Sequence, residues 1–199
     1  MGLQQLRFVT GTVACILLIA LGPADAEERA VSISAKAEPA SPWRAAAEKH
    51  DVDALDLYAI ALQESRRRRG DGMLRPWPWT LHTPDAGSLY FETYEAALEK
   101  LKSLIAQGTK NIDVGLMQIN WGWNGHRATA ERLLLPADNI EIAAQILREH
   151  LNEYGGDRRL AVARYHSPRP ERGIPYAASV LAIADELRQS TAIQLALSE

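Results

Sequence analysis

From Pro42 onward apolar residues recur every three or four positions, and the polar residues between them punctuate a series of helices. Ser41-Pro42-Trp43 reads as an N-cap followed by proline at the first helical position, opening a short helix to about His50. Asp53 caps a second helix over 55–65. A third spans 93–107, with Gly108 as its stop. Asp138 opens the longest helix, which ends at Gly155-Gly156, and Asp157 caps another that runs to about His166. A last helix covers 176–188. One stretch breaks the period: Trp77, Trp79 and Leu81, then Leu89, Tyr90 and Phe91, flank Thr83-Pro84-Asp85-Ala86-Gly87. That pattern predicts a β-hairpin between Arg75 and Phe91 turning on Pro-Asp-x-Gly. The expected fold class is mainly α with a small inserted β-hairpin.

The N-terminus has its own pattern. Arg7 precedes an uncharged stretch over 8–21, and Ala24-Asp25-Ala26 follows with small residues at the cleavage positions. Such a stretch falls short of the roughly 20 apolar residues that span a bilayer, so a cleaved signal peptide over 1–26 is expected, with no stable membrane span afterwards; the competing reading is an uncleaved N-terminal anchor that borrows flanking residues. Residues 27–41 are small, polar and aperiodic, a flexible tether. The functional domain is then 42–190, with 191–199 as a C-terminal tail.

Composition narrows the chemistry. With 47% hydrophobic and 24% charged residues the chain is ordinary for a globular protein, and a net charge of −3 gives no bulk attraction to nucleic acid. The single cysteine, Cys15, lies in the segment expected to be removed, and Thr12-Val13-Ala14 before it lacks a lipoprotein pattern. The mature chain then has no disulfide, thiolate nucleophile or Cys-based zinc site. His50, His82, His126, His150 and His166 show no metal-ligand spacing, and no Gly-rich phosphate loop is present. No metal and no cofactor are expected.

Glu64 is the most informative residue. It shares a helix face with Leu57, Ile60 and Ala61, and it lies at the helix C-terminal end. Partial desolvation and the negative pole of the helix both favour the protonated carboxyl, which suits a general acid. The competing reading is an exposed helix-end residue paired with Arg67 or Arg68. Arg66-Arg67-Arg68-Arg69 reads by itself as a solvated helix end, or as an attractor for acidic peptide stems.

Motif order separates these readings. Glu64-Ser65, Gly115-Leu116-Met117-Gln118-Ile119-Asn120, Leu135-Pro136 with Asn139-Ile140, and Ala163-Arg164-Tyr165 occur in that sequence. The set resembles the catalytic domain of the soluble lytic transglycosylase (SLT) family, relatives of goose-type lysozyme, from about Trp43 to Leu187. The resemblance implies a lysozyme-like, mostly helical fold and cleavage of peptidoglycan glycan strands in the periplasm by a monomer. It implies Glu64 as the single catalytic acid/base, with Ser65 in the same motif. Met117, Gln118 and Asn120 match the sugar-contacting segment, and Tyr165 matches a tyrosine near the catalytic carboxyl. Tyr176, in Tyr-x-x-x-Val-Leu, matches a later tyrosine of the cleft or serves helix packing. By resemblance, Glu64 protonates the oxygen between N-acetylmuramic acid and N-acetylglucosamine. It then takes a proton from the muramyl 6-hydroxyl, which closes to a 1,6-anhydro product.

Two departures stand out. His166 follows Tyr165 where the family usually has asparagine, and histidine both donates hydrogen bonds and titrates. Glu64 and Gln118 are also 54 residues apart, far more than is usual in the family. The surplus holds Trp77-Pro78-Trp79 and the helix over 93–107, and the tryptophans either line a sugar subsite or pack the hairpin. Trp121 and Trp123 pose the same choice. The insert also resembles that of transglycosylases found with conjugative transfer systems, which makes a secretion or conjugation complex a candidate partner. Asp113, just before Gly115, is the candidate second acid for a hydrolase (muramidase) alternative, or else a turn residue bonding its own backbone. A wall-binding or assembly scaffold without turnover is the third alternative.

Overall fold

The computed structural model describes residues 41–196 apart from 69 and 71. The expected signal peptide, all of the tether but Ser41, and residues 197–199 of the tail lie outside the described residues. The first two helices are α1 (Ser41–His50) and α2 (Ala54–Ser65). Asp53 caps α2 by accepting from the Leu55 and Asp56 amides at 2.8 and 3.1 Å. Leu57, Ala59, Ile60, Ala61 and Leu62 are all buried, and a helix apolar on every side belongs inside the fold. α2 is therefore the central helix, and it carries Glu64 on its last turn.

Next come the strands β1 (Arg66–Arg68), β2 (Leu74–Pro76), β3 (Thr80–Thr83) and β4 (Gly87–Tyr90), then the helix α3 (Tyr94–Ala106). Short strands β5 (Asp113–Val114) and β6 (Ile119–Asn120) precede one-turn helices α4 (Trp121–Asn124) and α5 (Ala130–Leu133). The chain closes with α6 (Pro136–Glu153), α7 (Arg158–His166) and α8 (Pro170–Ala196). The protein is mainly helical with small antiparallel sheets, in keeping with a lysozyme-like fold. α8 lies against α7 and α2, while α6 packs on α1 and α7.

An ion cluster centred on buried Asp56 ties these helices together. Asp56 accepts from the Arg158 guanidinium and from Arg188 at 3.2 Å, and Arg188 also reaches Asp53 at 2.8 Å. Asp56 is almost wholly buried, so its carboxylate depends on these partners.

The strands refine the expected hairpin. β3 and β4 pair in the register Thr80↔Tyr90 to Thr83↔Gly87, with Thr83 Oγ1 accepting from the Ala86 amide in the turn. Residues 74–76 instead pair with 66–68 in a separate ribbon. The chain turns a corner between them, where Trp77 donates its amide to the Ser65 carbonyl and Thr80 Oγ1 bonds the Trp77 carbonyl. Pro78 has no N–H for a ladder, which favours the break. Arg66–Arg68 thus form a strand and do not continue α2 as a solvated helix end.

Two helices begin earlier than the sequence pattern suggests. α6 starts at Pro136, with extended Leu135 before it, and Asp138 sits in its first turn paired with Arg132. α8 starts at Pro170 and includes Pro175. A proline this close to the N-terminus forfeits a single intrahelical bond, and packing against α7 and α2 offsets the loss. α8 also runs on past Arg188 to Ala196.

Candidate active site around Glu64

Glu64 is held at the junction of three elements, with 18% of its side chain exposed. Tyr176 on α8 donates its hydroxyl to Glu64 Oε1 at 2.6 Å. His166, the last residue of α7, places Nδ1 4.0 Å from the same oxygen. The His166 ring lies flat on Tyr176, with centroids 4.3 Å apart and planes 7° apart. Burial pushes the Glu64 carboxyl up to about 7, a rise the Tyr176 hydroxyl opposes and the negative charge of Asp113 reinforces. The arginines that follow contact other groups: Arg66 reaches Gln63, Arg67 pairs with Glu92 under Trp77, and Arg68 bonds the Gly72 carbonyl. The competing reading of Glu64 as an ion-paired helix end does not describe this geometry.

The segment 115–118 is the tight loop between β5 and β6, in the register Asp113↔Asn120 and Val114↔Ile119. Gly115 has φ +81°, and a Cβ there would meet the Asn139 amide nitrogen at 2.6 Å, so both backbone and space require glycine. Asn139, buried on α6, accepts from the Met117 amide at 2.8 Å and donates to the Val114 and Leu133 carbonyls at 3.0 and 2.8 Å. Ser65 donates to the Leu116 carbonyl at 2.7 Å. Gln118, with φ +47°, uses its amide N–H groups on the Gly115 and Thr80 carbonyls at 2.8 and 3.3 Å.

The residues singled out from the sequence therefore fall into two layers. Glu64, Gln118, Tyr165, His166 and Asn120 are partly open, whereas Ser65 and Met117 are fully buried behind the loop. Tyr165 bonds the Met117 carbonyl at 2.8 Å, and it is Tyr176 that reaches the carboxyl of Glu64. Burial and the charge of Glu64 push both phenols' proton affinity well up, with Asp113 adding to the rise at Tyr165, so they remain neutral donors. Asn120 donates to Asp113 Oδ1 at 2.8 Å, and Asp113 Oδ2 lies 3.4 Å from His82 Nδ1. Asp113 is thus held by side chains, and its charge is felt by Glu64, Tyr165 and His166.

The tryptophans divide as well. Trp77 and Trp79 pack edge to face at 5.8 Å, and Trp77 Nε1 donates to the Phe91 carbonyl, so this pair builds the hairpin. Trp121 packs against the core, while Trp123 is 81% exposed. Sequence reasoning passed over Asn139 as a site element. Its signal was a polar residue on the buried face of an amphipathic helix.

Residues 94–169 match the family described as Transglycosylase SLT domain. Members of that family are lytic transglycosylases acting on peptidoglycan. The matched segment contains the 115–118 loop, Tyr165 and His166, but not Glu64, Ser65 or Tyr176. No curated protein and no solved structure matches the chain. Among the described residues no group of three or more His, Cys, Asp or Glu side chains is placed to hold a metal ion. No helix among them is long and apolar enough to cross a membrane.

Proposed function

We propose that this protein is an exported peptidoglycan lytic transglycosylase of the periplasm, with Glu64 as its single general acid and base. The carrying observation is a carboxyl near the end of a buried helix, raised to about 7 and bonded, among the described residues, to a neutral phenol. Near neutral pH such a group holds a proton to give and becomes a usable base once it has given it.

The step balances with one carboxyl. Glu64 protonates the glycosidic oxygen leaving with N-acetylglucosamine as the C1–O bond breaks. The muramyl 6-hydroxyl oxygen bonds to C1, and its proton returns to Glu64. No water is consumed. Gln118 supports substrate binding, because its N–H groups are spent on the loop and its side-chain oxygen remains for a sugar donor. Ser65, Met117 and Tyr165 support the loop from behind, and Asn120 acts through Asp113. Residues 1–26 support export by a cleaved signal, and the Trp77-Pro78-Trp79 insert is consistent with service to a conjugation or secretion apparatus.

One observation favours a second reading, hydrolysis: the Asp113 charge acts directly on Glu64, as a second carboxylate would. Mass spectrometry of products from purified peptidoglycan separates the two. Muropeptides lighter by one water than the hydrolysed species support the transglycosylase, and reducing-end products support the hydrolase. Undiminished cleavage by Glu64→Gln would overturn both.

A further inference from the structure

His166 stands where the family it resembles carries asparagine, and the proposed reaction has no use for a second titrating group at that position. We propose that His166 is a positioning residue of the Glu64 site. Its ring, stacked on Tyr176, holds the phenol against Glu64 Oε1, and it serves only as a neutral imidazole. This inference rests on Glu64 being the acid/base.

The geometry carries the argument. One carboxyl oxygen has a phenol at 2.6 Å and an imidazole nitrogen at 4.0 Å, and the two rings are parallel. Lateral movement of the phenol off Glu64 would break that stack. The 4.0 Å separation is too long for a hydrogen bond but short for a charge. A proton on His166 would therefore place a cation beside the carboxyl just where the sugar develops positive charge in an oxocarbenium-like transition state. It would also weaken Glu64 as the base that takes the 6-hydroxyl proton.

The groups facing His166 are Glu64 on α2, Asp113 on β5, and Arg172 and Tyr176 on α8. Burial and then Arg172 hold the imidazole below its ordinary value, while Asp113 pulls the other way. The balance favours the neutral ring at neutral pH. Asparagine would bring the hydrogen-bonding capacity without stack or charge, so histidine adds an acid limb to the rate profile.

The test is the initial rate of muropeptide release from purified peptidoglycan across pH. It compares the wild type with His166→Phe, His166→Asn and His82→Gln, with folding followed by circular dichroism at each pH. Phenylalanine keeps a flat ring and removes the charge; asparagine removes both. The wild-type rate should fall about tenfold per pH unit below an inflection under 6.5, as one-proton behaviour requires. Both His166 variants should lose that limb. His166→Asn should also move its alkaline limb upward as Tyr176 loosens, and His82→Gln should retain the acid limb. A wild type without the limb, or a limb persisting in either folded His166 variant, overturns the inference. If Glu64→Gln is inactive in the same assay, the reading of Glu64 survives that failure. If Glu64→Gln cleaves normally, both fall.

Discussion

Ser65 donates its buried hydroxyl to the carbonyl of Leu116 at 2.7 Å, across 51 residues of chain. The residue after Glu64 is thereby fastened to the loop that carries Gln118. Ser65→Ala would leave the Leu116 carbonyl buried and unpaired, at about 1–3 kcal/mol. The same variant should lose activity beyond what unfolding explains, measured as kcat/KM at a temperature well below its Tm.

Tyr176→Phe removes the hydrogen bond that stabilises the Glu64 carboxylate, and so lets the carboxyl rise above its value of about 7. Cleavage that needs the protonated acid fails above that value. The alkaline limb of the wild type should therefore sit near 7 and move to higher pH in the variant, with the plateau rate reduced about tenfold, as loss of one hydrogen bond to a charged group predicts. A pH–rate series on both proteins checks it.

Glu64 should cost the fold stability. A carboxyl raised from 4.5 to about 7 binds its proton more tightly in the native state than in the unfolded chain. The contribution of this group is therefore greatest below pH 4.5 and is lost as pH rises through 7, by at most about 3 kcal/mol. Glu64→Gln cannot ionise, so it should melt higher than wild type at pH 8 and nearly level with it at pH 4. Thermal melts at the two pH values read the difference.

Asn139→Ala should be severe. It strands the Met117 amide and the Val114 and Leu133 carbonyls together in the core. A loss of roughly 3–5 kcal/mol is expected for removing so connected a buried group, measured by urea denaturation. Gly115→Ala should fail at the same place, because its Cβ would run into Asn139.

Asp56→Ala leaves Arg158 and Arg188 facing each other without the carboxylate between them. Both guanidiniums are about a third exposed, so solvent relieves part of the penalty and roughly 1–3 kcal/mol is expected. The cluster is at the far end of α2 from Glu64, so the pH of the alkaline limb should not move. Denaturation and the pH–rate profile together test both halves.

Periodicity and punctuation alone determined most of the helices, because an amphipathic helix must repeat its apolar positions and its ends need caps or glycines. Gly155-Gly156 and the Pro84-Asp85 turn were legible for that local reason. Motif order likewise singled out Glu64 and the 115–118 loop. Interactions distant in the chain were not legible. β1 and β5 are too short to carry a period, and each exists because a partner strand is brought alongside. The early start of α8, through Pro175, depends on the helices packed against it. Chain order likewise cannot say which tyrosine meets Glu64, because Tyr165 and Tyr176 are both plausible partners until α7 and α8 are docked. Only the tertiary fold put Tyr176 on the carboxyl, Tyr165 behind Met117, and His166 flat against the phenol. Packing also set the depth of Glu64, and with it the desolvation that raises its carboxyl to about 7.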